Sequence, residues 1–235
     1  MEAAAGRGTV FVVDDDPAVR RALERLIRSV GLEAHSFASA AEFLGHAVPV
    51  HPACLVVDVR LPGLSGLDLQ ERLAASGWEV PTIFISGHGT VPMSVRAMRG
   101  GAIDFLQKPF EDEQLLDSVR EGLARDSAET RERGRRAEIE GQIRRLTPRE
   151  HEVFALIVAG LPNKLIATKL GASEKTIKVH RARVMEKLGA SSLAALVHMA
   201  HDAGWASPEP RGAAADVESA TLGEAVDTAQ TDPRV

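Results

Sequence analysis

The sequence predicts an α/β fold, an open and mostly parallel sheet covered by helices on both faces, followed by a smaller all-helical domain. Three observations carry this. Residues 8 to 124 alternate five short apolar runs with five segments of helical period, the pattern of parallel strands joined by crossover helices. Residues 146 to 203 show helical period only. Four of the apolar runs end in polar groups: Asp14, Asp15 and Asp16; Asp58; Ser86; and Lys108. Ligands of a parallel sheet collect at the carboxyl ends of its strands.

The elements follow in order. Thr9–Val13 is a strand. Pro17 to Val30 puts Val19, Leu23, Leu26, Ile27 and Val30 on one helical face, and proline suits the first turn. Ala34–Phe37 is a short strand and Ala40 to His46 a helix. Ala53–Val57 is a strand delivering Asp58, and Gly66–Ala75 a helix. Thr82–Ile85 is a strand delivering Ser86, and Val91 to Gly100 a helix. Ile103–Leu106 is the last strand and Asp112 to Leu123 the last helix of the array. Residues 125–143 are charge-dense and poor in aliphatics, a helical linker weakened by Gly134 and Gly141 at about 1 kcal/mol each. A solvated spacer is the plainer reading; a dimer-forming coil would need more heptads.

The second domain, 144–204, opens on Thr147-Pro148-Arg149-Glu150, a capping box. Its helices are read as a segment reaching Gly160, then Asn163 to Leu170, Glu174 to Leu188 capped by Ser173, and Ser192 to about Ala203. From Trp205 to residue 235 the chain is Pro, Ala, Gly, Thr and acid without period, which predicts a disordered tail.

Composition narrows the class. The 235 residues allow two ordinary domains, and 44% hydrophobic residues can pack a core. The single cysteine, Cys54, excludes an internal disulfide framework and reads as an inert core thiol. No signal-peptide pattern and no membrane-length apolar run is present, so the expectation is a cytoplasmic protein with no membrane partner. Net charge is −5, but Arg144 to Asp202 holds ten cations against five anions. A basic block in an acidic chain points to a polyanion.

Asp14 and Asp15 beside Asp58 would gather three carboxylates, which repel unless a hard cation offsets them. Mg2+ takes oxygen ligands and shares them with phosphate. Asp58 can then act as a nucleophile toward phosphorus, with Lys108 and the Ser86 hydroxyl as partners of the phosphoryl oxygens. In the basic block, Asn163–Leu170, Gly171-Ala172 and Ser173–Leu188 have helix-turn-helix spacing. Ile177, Val184 and Leu188 form the inward stripe, while Lys175, Lys178, Val179, Ala182 and Glu186 lie on another face. Lys178 and Val179 suit base edges. Lys164, Thr176, Arg181, Arg183 and Lys187 suit phosphates. Pattern alone leaves a generic basic hairpin equally open.

The motifs VVDDD, VVDVRLPGLSG, FISGHG and DFLQKPF together resemble a response-regulator receiver domain, a flavodoxin-like (βα)5 fold. LTPRE, GLPNKLIA, LGASEKTIKVHRARVMEKLGASSL and ALVHMA resemble a LuxR-type helix-turn-helix domain of four helices. Together they are similar to the NarL/FixJ family, FixJ-type members above all. The resemblance implies Asp58 as phosphoacceptor, and Mg2+ on Asp14, Asp15, Asp58 and the Arg60 main-chain carbonyl. It implies Ser86 and Phe105 as the switch pair, Lys108 as the phosphate-contacting lysine, and a cis Lys108-Pro109 bond. Implied partners are a sensor histidine kinase, promoter DNA, a second copy of the chain and, for an activator, RNA polymerase. Activation is the commoner family outcome. Val91, Val95 and Met98 are expected on the receiver dimer face, and the last helix resembles the family's dimer helix. Arg60 and His88 either screen the attacking water or are plain loop residues. A turnover enzyme is not expected, because Val59 and Arg60 follow Asp58 where a phosphohydrolase would need a second acid. His151 and Leu165 depart from the family pattern, and Leu165 adds an apolar group to the first helix of the motif.

Overall fold

The computed structural model describes residues 8–46 and 49–205, so all of the tail expected over 205–235 except Trp205 lies outside the described residues. The chain divides into two units, residues 1–134 and 135–235.

In the first unit five parallel strands lie in the order β2-β1-β3-β4-β5. These are β1 (Thr9–Val13), β2 (Glu33–Phe37), β3 (Ala53–Asp58), β4 (Thr82–Ser86) and β5 (Asp104–Gln107). Helices α1 (Pro17–Ser29), α2 (Ala40–His46), α3 (Gly66–Ala75) and α4 (Val91–Arg99) are the crossovers, and α5 (Asp112–Arg144) follows β5. Residues of β1, β3 and β4 are buried on both faces, which is why they read as unbroken apolar runs. Alternation splits them between two cores. Phe11, Val13, Leu55, Val57 and Phe84 pack with Phe43, Leu69, Leu73 and Ala97 of α2, α3 and α4. Val10, Val12, Cys54, Val56, Ile83 and Ile85 pack with Leu23 and Ile27 of α1 and Leu115 and Val119 of α5. Cys54 is buried, and burial pushes its thiol up to about 12, which keeps it protonated and inert. Val30, expected on the inner face of α1, is instead the exposed C-cap, because the helix ends one residue earlier.

Helix α5 is bonded to the sheet at two levels. Ser118 donates to Asp104 Oδ2 at 2.7 Å. Farther along, Oδ2 of the buried Asp126 accepts from the Ala53 N–H at 2.8 Å and lies 2.7 Å from His51 Nδ1, with Oδ1 at 3.0 Å from the same nitrogen. The expected break between the last helix and the linker is absent: α5 runs for 33 residues. Exposed i,i+4 pairs such as Arg125–Glu129 and Arg136–Glu140 line this stretch, each worth a few tenths of a kcal/mol.

The second unit contains α6 (Pro148–Val158), α7 (Asn163–Leu170), α8 (Glu174–Lys187) and α9 (Leu193–Asp202). Its core joins Val153, Phe154, Ile166, Ile177, Val184 and Leu196, together with Ile139 and Ile143 from the end of α5. Thr147 and Glu150 close the capping box of α6. Gly171 ends α7 with φ of 60°, the left-handed turn that suits glycine. Trp205, expected in the tail, packs instead: its ring is 4.8 Å from His151 and 5.3 Å from Phe154, and its main-chain N–H donates to the Ala200 carbonyl at 2.8 Å. An aromatic can dock where the sequence around it has no period. Among the described residues no helix is long and apolar enough to cross a membrane.

Candidate functional site: an acidic pocket and a basic helix

Strand register builds the pocket. Val13 pairs with Val57, Asp58 with Ile85, and Ser86 with Gln107. The residues that end or follow these strands therefore meet at one edge, where strand order reverses between β1 and β3. Oxygens of Asp14, Asp15 and Asp58 all lie within 4.8 Å of one another. Asp14 is fully buried, Asp58 nearly so, and Asp15 is exposed.

Lys108 lies between two of these acids. Its Nζ is 2.6 Å from Asp14 Oδ2 and 2.6 Å from Asp58 Oδ2. Its main-chain N–H donates to the Ser86 carbonyl at 2.9 Å, and the Lys108-Pro109 bond is cis. The remaining oxygens are also used: Asp58 Oδ1 accepts from Arg60 N–H at 2.7 Å, and Asp14 Oδ1 from Asp16 N–H at 2.9 Å. Burial pushes the Asp14 carboxyl up, only partly offset by Lys108 and the Asp16 N–H, and the Asp58 charge adds to the rise. Burial works against the Lys108 charge, but its bonds to Asp14 and Asp58 outweigh that and hold the ammonium above its ordinary range.

Three carboxylates facing one ammonium leave an all-oxygen, negatively charged donor set, which fits a hard divalent cation such as Mg2+. Ser86 is buried, and its Oγ accepts from His88 N–H at 3.3 Å. Phe105 is half-buried, 6.4 Å from the Phe84 ring centroid. Arg60 and His88 are exposed.

Two glycines at the pocket escaped sequence reasoning. A Cβ on Gly66 would collide with the Asp58 carbonyl oxygen, and one on Gly89 would come within 2.6 Å of Phe105 Cε1. Gly66 N–H also donates to the Val59 carbonyl at 3.1 Å. The only signal in the sequence is glycine at the start of a helix and in a loop, which many turns share.

In the second unit, Lys164, Lys175, Thr176, Lys178, Val179 and Arg183 are exposed on α7 and α8. Ile177, Val184 and Leu188 are buried, the expected inward stripe. Arg181 is half-buried and donates to Asn163 Oδ1 at 3.2 Å. Lys187 has a partner inside the unit. Its Nζ sits 2.6 Å from the buried Glu150 Oε2, so its charge serves an internal pair. That pair and the Thr147 N–H hold Glu150 down at about 2. Leu165 is exposed at 54%, and Val91, Val95 and Met98 are exposed on α4.

A five-stranded parallel α/β unit with acids and a lysine at the strand ends, followed by a helix-turn-helix unit, defines a receiver joined to a DNA-binding domain. The response regulator receiver domain model matches residues 10–120, and that of bacterial regulatory proteins of the luxR family matches 144–200. The chain is 48% identical over 201 residues to nodulation protein W of Bradyrhizobium diazoefficiens, covering 86% of this chain and 88% of that one. It is 46% identical over 195 residues to the transcriptional regulatory protein FixJ of Azorhizobium caulinodans, covering 83% and 92%. The solved structure of response regulator StyR shares 47% identity with a TM-score of 0.75, over 83% of this chain and 99% of that one. Full-length FixJ from B. japonicum shares 39% with a TM-score of 0.52, over 85% and 98%. The chain belongs to the NarL/FixJ-type response regulators. It is a phosphorylation-dependent transcriptional regulator of a two-component system.

Proposed function

We propose that Asp58 is the phosphoacceptor and that Asp14, Asp15, Asp58 and the Arg60 carbonyl hold Mg2+. The observation that carries this is Lys108 bridging Asp14 and Asp58 at 2.6 Å each, with Asp15 beside them. The bound ion would offset charge on the phosphoryl oxygens during transfer. An Asp58 oxygen attacks the phosphorus of a phosphohistidine on a sensor kinase. The phosphorus–nitrogen bond breaks, and its electron pair stays on the imidazole, which takes a proton from solvent. Lys108, already in contact with Asp58, turns its ammonium to a phosphoryl oxygen. The Ser86 hydroxyl, one residue past the strand pair of Asp58 and Ile85, donates to another.

Moving Ser86 frees space beside Gly89 and Phe105. Phe105 turns inward, and α4 repacks. A coupling of about 1–3 kcal/mol is enough to bias two such states. Val91, exposed at 76%, with Val95 and Met98 then meets the same face of a second copy. Pairing two receivers pairs two α8 helices on promoter DNA. Lys178 and Val179 face bases, and Lys164, Lys175, Thr176, Arg181 and Arg183 face phosphates. Transcription is activated, in the cytoplasm, with RNA polymerase as the further partner. Asp58 takes one phosphoryl group and does not turn over substrate.

The test is acetyl phosphate labelling of the full chain with intact mass, sizing and DNA binding. We expect one phosphoryl group per chain, none on Asp58→Asn, dimers, and tighter DNA binding. Equal labelling of Asp58→Asn would refute the acceptor, and a labelled monomer with unchanged DNA affinity would refute the switch.

A further inference from the structure

Arg20 stands one turn inside α1 and reaches back to the loop that carries the acids. Its Nη1 donates to the main-chain carbonyl of Asp14 at 2.6 Å and to that of Asp15 at 3.0 Å. Among the described residues its guanidinium has these two partners. Both carbonyls lie between the end of β1 at Val13 and the start of α1 at Pro17, where neither ladder nor helix supplies a donor. Besides the Arg20 N–H, which donates to the Asp16 carbonyl at 3.1 Å, the loop has three further ties. Asp14 N–H donates to the Phe37 carbonyl at 3.2 Å, Asp16 N–H to Asp14 Oδ1 at 2.9 Å, and Ala18 N–H to Asp16 Oδ1 at 2.7 Å. The Asp16 N–H shares its peptide with the Asp15 carbonyl, so that plane is held from two sides, whereas among the described residues the peptide after Asp14 is tied by Arg20 alone.

We infer that Arg20 is a positioning residue for the metal pocket: by clamping the Asp14 and Asp15 carbonyls it holds the two acidic side chains in the geometry that receives the cation. This rests on the reading that Asp14, Asp15 and Asp58 hold Mg2+. Two effects of the guanidinium oppose each other, and their signs differ. As a nearby positive charge it repels a divalent cation, so removing it would tighten binding. As a clamp it pre-orients the ligands, so removing it would weaken binding. Partners that orient metal ligands typically contribute about 10–100-fold in affinity. Asp15 is exposed, and octahedral Mg2+ tolerates little misplacement of its ligands, so the clamp dominates.

The experiment is calorimetric titration of the full chain with magnesium chloride alone, beside metal-free melting. Arg20→Met is expected to weaken Mg2+ about tenfold with the metal-free melting temperature nearly unchanged. Arg20→Lys, which keeps the charge and a donor, is expected to recover most of the loss. Should Arg20→Met fail to fold, Arg20→Gln carries the same prediction. Asp14→Asn is the control for the pocket itself and is expected to abolish binding. Unchanged or tighter binding by the neutral variants, with Asp14→Asn inactive, would overturn the role of Arg20 and leave the pocket standing. Equal binding by Asp14→Asn and the parent would overturn both.

Discussion

Gly66→Ala sets two known effects against each other at the acceptor. Alanine is the better helix former by about 1 kcal/mol, and Gly66 begins α3. Against that, the new Cβ would collide with the Asp58 carbonyl oxygen, with the Asp58 carbonyl carbon and Val57 Cγ2 each at 3.1 Å. Backbone of a central strand cannot rotate away as a side chain can, because Asp58 is registered against Ile85. Overpacking of this kind costs about 1–3 kcal/mol. Taking the upper end and subtracting the propensity gain leaves a net loss of about 2 kcal/mol. The carbonyl that must move belongs to the phosphoacceptor, and a shift near 1 Å can cost about 100-fold in rate. Urea unfolding followed by Trp78 fluorescence, in a Trp205→Phe background, reports on the receiver alone, because these are the two tryptophans. Acetyl phosphate labelling reports on Asp58. Gly134→Ala is the contrast: it is exposed inside α5 with nothing within 4 Å of a Cβ, so about 0.5–1 kcal/mol should be gained. A Gly66→Ala chain as stable as its parent and labelled at the parental rate would refute the reasoning.

Three more expectations follow from the same geometry. Glu150 is held down at about 2 from an ordinary 4.5, so its contribution is complete above 4.5 and is lost as pH falls from there toward 2; acid titration of Trp205 fluorescence should show the helical unit loosening over that window, and Glu150→Gln should flatten it. Lys187→Ala should destabilise the helical unit by about 2 kcal/mol, less than for a fully buried pair because Lys187 is 39% exposed. Lys175→Ala should instead leave stability unchanged, weaken DNA binding about equally across sequences and reduce its salt slope by about 1. Mg2+ at 100 times its dissociation constant should raise receiver stability by about 2.7 kcal/mol, an increment that Asp14→Asn abolishes in a denaturant titration.

What the chain disclosed in advance follows from where the information sits. The strands announce themselves because both faces are buried, so Val10 to Val13 and Cys54 to Val57 are continuous apolar runs. The pocket was legible because parallel register carries strand-terminal residues to one edge. Phe105 and Ser86 came from resemblance and topology together. The ion pair of Lys187 was hidden because a surface-like lysine on a basic helix gives no hint that a buried acid waits 37 residues earlier. Gly66, Gly89 and Arg20 were silent for the same reason, since what they do is defined by a partner distant in sequence or by a main-chain atom. The continuity of α5 was hidden by Gly134 and Gly141, each a helix breaker by propensity, yet both lie inside the helix. Exposed ion pairs and the burial of Ile139 and Ile143 outweigh them.

The contact of Asp126 with Ala53 bears on how the chain can be dissected. Motif boundaries invite a receiver fragment cut near residue 124. Such a fragment would strip the acceptor from the N–H that opens β3, at the buried start of the strand whose far end is Asp58. A fragment extended to Gly134 keeps it. Phosphorylation lifetimes measured on the shorter piece would therefore describe a looser central strand than the one the intact protein uses.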